Sequence, residues 1–125
     1  MFNLFQSKKD IEMRDESRVY DLKARLDWGE PALTIIDVRD RTAFNLSHIS
    51  GAVSLPLDGL VTAAVNSLEI DRDIYVYGDT DEVSADAIER LKAAGYQRLS
   101  LLRGGVAAWK AADFPVESSS ALAAS

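Results

Sequence analysis

Apolar residues fall along this chain in two kinds of run. Some are short and unbroken, as in "LTIIDVRD" from Leu33 to Val38, "DIYVYG" ending at Gly78, and "LSLL" from Leu99 to Leu102. Runs of this kind suit strands covered on both faces. Others step by three and four: Val19, Leu22 and Leu26, then the stretch from Leu60 to Leu68, then Val83, Ala87, Ile88, Leu91 and Ala94. These predict helices with one apolar stripe each. Ser17 is placed to cap the first helix, with Gly29 and Pro31 ending it, and Gly95 stands where a left-handed C-terminal cap belongs. A short helical piece is expected around Thr42 to Leu46. A turn at Gly51 then leads to a short strand over Ala52 to Leu55, and Gly104-Gly105 open a last helix carrying Trp109. Strands and helices alternate, so the fold expected is α/β, a mostly parallel sheet with helices on both faces. Ligands of such folds sit beyond the carboxyl ends of the strands, where Asp37 and Gly78 lie.

Composition narrows the picture. A chain of 125 residues, 47% of them hydrophobic, holds one core and is too short for two. The expected division is an N-terminal segment over 1–16, one domain over 17–117 and a flexible tail over 118–125, where "SSSALAAS" has no strand or helix period. A formal charge of −6 provides no basic field for nucleic acid or anionic lipid. The opening "MFNLFQSKK" has neither a basic start nor a sustained apolar run, and no stretch approaches the ~20 apolar residues of a membrane span. The expectation is a soluble, cytoplasmic protein that binds neither nucleic acid nor membrane. There is no cysteine, which removes disulfides, thiolate metal sites and cysteine catalysis together.

Two segments, "IIDVRDRTAFNLSHISGAVSLPL" and "LLRGGVAAWKAADFPVE", resemble the rhodanese-like domain, and the resemblance extends from Ser17 to Glu117. It is carried by Asp37-Val38-Arg39 at a strand end, His48 and Gly51-Ala52 before a short strand, and Gly104-Gly105, Trp109 and Pro115 near the close, in family order. Ser50 stands where the family usually has proline. Asp113 stands where it usually has glycine, a place Asp fills when the backbone turns left-handed. The resemblance implies a structural role for Asp37, Arg39, His48, Gly51, Gly104, Gly105 and Trp109. It also implies sulfur transfer through a cysteine directly after the central strand, often with an arginine five residues on. Those positions hold Gly78 and Val83.

The loop Gly78-Asp79-Thr80-Asp81-Glu82-Val83-Ser84 therefore reads as a vestige of a catalytic loop, with no catalytic residue of its own. A helix N-terminus attracts anions, but Asp79 and Glu82 have the spacing of a capping box. An anionic substrate beside Asp79, Asp81 and Glu82 meets like charge at about 1–4 kcal/mol per close pair. Three other chemistries are weaker fits. His48, the one histidine, suits a hydrogen bond with the Asp37 or Arg39 region better than a general base. Asp37 as a phosphoacceptor lacks the accompanying acids and lysine. A hard cation on the acidic trio competes with simple capping, so no metal and no cofactor are expected. Trp28, Trp109, Tyr75 and Tyr77 read as core or rim aromatics. The expected function is that of a catalytically inactive rhodanese-like module, in which Asp79, Asp81, Glu82 and Asp86 bind a protein partner with a basic patch. The alternative is a ligand- or cation-binding enzyme using the acidic loop at 79–82.

Overall fold

The structure is a computed structural model, and it describes residues 13–29 and 32–119. Strand β1 (Glu16–Ser17) leads into helix α1 (Val19–Asp27), followed by β2 (Leu33–Asp37), α2 (Arg41–Leu46), β3 (His48–Ile49) and β4 (Val53–Ser54). Then come α3 (Leu60–Ser67), β5 (Asp73–Tyr77), α4 (Asp81–Ala93), β6 (Leu99–Leu102), α5 (Gly105–Ala111) and β7 (Val116–Glu117). Five strands form one sheet in the order β1-β6-β5-β2-β4, all of its pairs parallel. β3 and β7 form a separate antiparallel pair. The unbroken apolar runs end up as the inner strands, and all five residues of β5 are buried.

Strand side chains alternate between faces, and the core divides accordingly. Ile36, Ile74, Val76, Leu99 and Leu101 pack with Leu60 and Ala64 of α3 and Ala87, Ile88 and Leu91 of α4. Ile35, Tyr75, Tyr77 and Leu102 pack with Val19 and Leu22 of α1, Phe44 of α2 and Trp109 of α5. The stripe predicted for α4 is thus the buried one, and Gly95 takes the left-handed φ of +107° expected of its cap. Asp113 is left-handed as well, at φ 64°. Trp109 is fully buried and donates from Nε1 to the carbonyl of Pro115 at 2.7 Å. Trp28 lies on the rim, 61% exposed.

Several expectations need correction. Ser17 is no helix cap. It is the second residue of β1, its hydroxyl hydrogen-bonded to that of Ser100 at 2.6 Å, and Arg18 occupies the N-cap position. The strand expected over Ala52 to Leu55 is reduced to Val53–Ser54, because only those residues reach β2 in register. β1, β3 and β7 had no counterpart in the sequence pattern. Glu16 pairs with Leu101, Ser119 donates its amide to the carbonyl of Asn45 at 2.8 Å, and Pro31 and residues 120–125 lie outside the described residues.

At the carboxyl end of β2, Asp37 is fully buried and bonded to Arg39, with Nη2 to Oδ2 at 2.7 Å and Nε to Oδ1 at 3.0 Å. Burial works to lower the pKa of Arg39, but the Asp37 carboxylate outweighs it and holds the guanidinium above its ordinary value. Arg39 Nη2 also donates to the carbonyl of Ser47 at 2.6 Å, which fixes the end of α2. His48, next in the chain, bonds neither Asp37 nor Arg39. Its Nδ1 lies 2.7 Å from the carbonyl of Phe44, and its ring stacks on the Phe44 ring at 3.7 Å. A carbonyl only accepts, so Nδ1 carries the proton.

Removing either partner of a buried pair leaves the other uncompensated. Arg39→Met is expected to lower stability by about 3–5 kcal/mol. His48→Ala, which loses the hydrogen bond to Phe44, the stacked ring and the contact of Nε2 with Glu117 at 3.4 Å, should cost about 1–3 kcal/mol. Urea denaturation midpoints check both. An unchanged midpoint for His48→Ala would show that the ring contributes nothing.

Candidate functional site

β5 ends at Tyr77, and the loop beyond it turns at once into α4. Thr80, and not Asp79, caps that helix: its Oγ1 accepts the amide of Val83 at 3.1 Å, and its carbonyl accepts the amide of Ser84 at 3.0 Å and the Ser84 hydroxyl at 3.1 Å. The capping box expected from Asp79 and Glu82 does not form: the cap falls one residue later, and Val83 at the third helical position has no acceptor to reach back. Thr80 is in extended conformation, φ −137° and ψ 162°, as an N-cap residue is, and α4 begins at Asp81.

Gly78 is buried. A Cβ at this position would lie 3.0 Å from Val83 Cγ1, 3.1 Å from Val38 Cγ2 and 3.4 Å from Ser84 Oγ. Contacts of 3.0–3.1 Å between carbons are inside the ~3.5–4.0 Å optimum, so a side chain at 78 would require Val83 and Val38 to give by a few tenths of an ångström. Val83 stands where the resemblance implies an arginine, and it packs, partly buried, against the core. The start of α5 closes in from the other side: a Cβ on Gly105, whose φ is +51°, would meet the carbonyl oxygen of Gly78 and Cδ2 of Tyr77, each at 3.2 Å.

The four acids of the loop and first turns are used in three ways. Asp81 Oδ1 accepts the amide of Gly104 at 3.0 Å, tying the head of α4 to the turn between β6 and α5. Asp86 pairs with Arg90 one turn along α4 at 3.1 Å. Asp79 and Glu82 are exposed and hold no bond among the described residues. Arg103, also exposed, pairs with Glu16 at 2.8 Å, and its guanidinium is held above its ordinary pKa first by that bond and then by the charges of Glu16 and Asp81. A basic residue thus does stand near the loop, supplied by the end of β6.

Beneath the loop, the hydroxyl of Tyr77 accepts the amide of Ile49 at 3.1 Å. Burial first, and then the hydrogen bond to Asp37, push its phenol well above the ordinary tyrosine pKa. The structure brings Asp37, Arg39 and Tyr77 together, with His48 and Gly51 on the following turn, in the support beneath the loop. Gly104 and Gly105 approach the loop from the α5 side, and Trp109 lies in the core beneath them with Tyr77. The links of Tyr77 to Ile49 and of Asp81 to Gly104 escape sequence reasoning, because each joins elements more than twenty residues apart. Among the described residues no group of three or more His, Asp or Glu side chains is gathered as metal ligands are, and no helix is long and apolar enough to cross a membrane.

Residues 18–112 match the family described as the Rhodanese-like domain. A crystal structure of the Alr3790 protein from Anabaena sp. is 52% identical and superposes with a TM-score of 0.80, covering 82% of this chain and 91% of that one. The probable adenylyltransferase/sulfurtransferase MoeZ of Mycobacterium tuberculosis is 35% identical over 91 residues, 71% of this chain and 23% of that protein. A sulfurtransferase of Allochromatium vinosum is 29% identical over 82 residues, 66% of this chain and 76% of that protein. The chain spans between 23% and 48% of the length of the first curated relatives it matches. With the match over 18–112, the parallel sheet and a loop that carries glycine at the end of the central strand, the chain belongs to the rhodanese-like domain family, which includes sulfurtransferases, and it has no cysteine.

Proposed function

We propose that this domain does not transfer sulfur and works by binding another protein through the acidic face of its loop. The observation that carries the reading is at Gly78: the residue after the central strand has no side chain, and a Cβ there would crowd Val83 and Val38 at 3.0 and 3.1 Å. Persulfide formation needs a thiolate, and none exists anywhere in the chain. Loops at the carboxyl ends of parallel strands remain accessible even when chemistry is lost. Here that edge carries Asp79, Glu82 and Asp86, all exposed, so a basic partner meets favourable charge and an anionic sulfur donor meets repulsion.

Three outcomes test the reading. The pure protein should show no thiosulfate:cyanide sulfurtransferase activity. Sulfur-dependent cyanide consumption above a heat-killed control would refute this.

Gly78→Cys should restore little activity, for both a steric and an electrostatic reason. The new Cβ crowds two valines, an overpacking that costs about 1–3 kcal/mol, and nearby carboxylates disfavour a thiolate. In a double-mutant cycle with Val83→Ala, the combined loss of stability should be smaller than the sum of the single losses. Simple additivity would show that residue 78 has room.

The variant Asp79→Asn, Asp81→Asn, Glu82→Gln should stay folded, since Thr80 supplies the cap. It should associate more slowly than the parent with a basic partner recovered from native extract. The difference should shrink as salt shortens the Debye length to about 8 Å and below. Equal association rates at low salt would place the working surface elsewhere.

A further inference from the structure

We propose that the opposite end of the sheet carries an anion site, a cavity built on Arg72 that takes a small molecule bearing a phosphate or carboxylate group. The cavity, of about 370 Å³, opens at the amino ends of β2, β5 and β6 and is lined by Arg25, Arg72, Arg98, Asp73, Glu69 and Asp71, with Ala32. That volume is at the small end of the ~300–1,000 Å³ typical of ligand sites.

Its guanidiniums come from α1, from the turn before β5 and from the approach to β6. Asp73 bridges two of them, its Oδ2 lying 3.1 Å from Nη1 of Arg25 and its Oδ1 bonded to Nε of Arg98. Arg25 is 7% exposed and also donates to the hydroxyl of Tyr75 at 3.1 Å. Arg25 and Arg98 have interactions beyond these, so the weight of the argument falls on Arg72. Its Nε donates to Oγ1 of Thr34, and its Nη2 donates to the carbonyl of Leu33 at 3.1 Å. Both acceptors are neutral. The guanidinium is therefore fixed in place and part-buried, and it pairs with no carboxylate among the described residues.

A planar fork held this way is preorganised for an oxyanion. The remaining acids, Glu69 and Asp71, are exposed. The part-buried charge of Arg72 thus favours an anion while the rim acids disfavour polyanions, which selects a small ligand over nucleic acid. This site shares no residue with the acidic loop, and it does not depend on the function proposed there.

Inorganic phosphate, and separately succinate, titrated into the nitrogen-15-labelled protein distinguishes the two ligand groups. The expected result is a saturable set of amide shifts centred on Ala32, Arg72, Asp73 and Arg98, with a dissociation constant on the order of 1 mM for at least one anion. Arg72→Gln should abolish the shifts while leaving the spectrum folded. Arg72→Lys, which keeps the charge and loses the fork, should weaken binding several-fold and serves as the test if the glutamine variant fails to fold. Asp81→Asn should leave binding unchanged. Failure of both anions to give saturable shifts would overturn the proposal, as would shifts centred on Gly78 to Ser84 or undiminished binding by both Arg72 variants.

Discussion

The end of β2 is held by a charge pair buried within two residues of itself. Asp37 accepts the backbone amide of Arg39 at 2.9 Å as well as its guanidinium, so the chain bends at Val38 and cannot continue as a strand. That bend is shared with its neighbours. The amide of Val38 reaches the carbonyl of Tyr77, and those of Leu55 and Leu57 reach the carbonyls of Asp37 and Val38. Three strand ends are therefore registered on two residues. A buried pair of this kind contributes little net stability compared with an apolar substitute. What it contributes is position: Val38 is delivered against Gly78, and the shape of the loop follows.

The loop keeps the frame of the family's site without the cysteine. The fold continues to place the head of α4, the turn before α5 and an exposed loop at one edge of the sheet. What differs is what fills that edge. Valine methyl groups crowd the place of a Cβ at 78 at 3.0–3.1 Å, and the carboxylate of Asp81 accepts the amide of Gly104. The electrostatic character of the edge comes from Asp79 and Glu82, the two acids with no internal employment among the described residues.

Most of the architecture was legible in the sequence, because the inner strands and α4 are defined by patterns they carry themselves: continuous apolar runs for β2, β5 and β6, and a stripe ended by Gly95 for α4. β1, β3 and β7 were not legible. Each has two residues, too few for any period, and exists only through a partner far along the chain. The cap of α4 is ambiguous in the sequence, since Asp79 and Thr80 are adjacent and both cap well; the helix begins at Asp81, so Thr80 takes the cap. His48 was assigned the wrong partner because stacking on Phe44 orients its ring, and spacing cannot show that. The arginine cavity was invisible, its members standing at 25, 72 and 98, related only by the topology.

That topology has a consequence for how the domain assembles. β1 lies at the sheet edge against β6, and the buried hydroxyl pair that anchors it joins residues 83 apart in the chain. Chains emerge from the ribosome amino terminus first, so β1 has no partner until Leu99–Leu102 have been synthesised. Until then the inner face of α1, with Val19 and Leu22, has no Leu102 or Trp109 to cover it. Closure of that long loop is entropically costly and slows folding. β1 is thus made well before the strand it pairs with, and the edge of the sheet is completed only after β6.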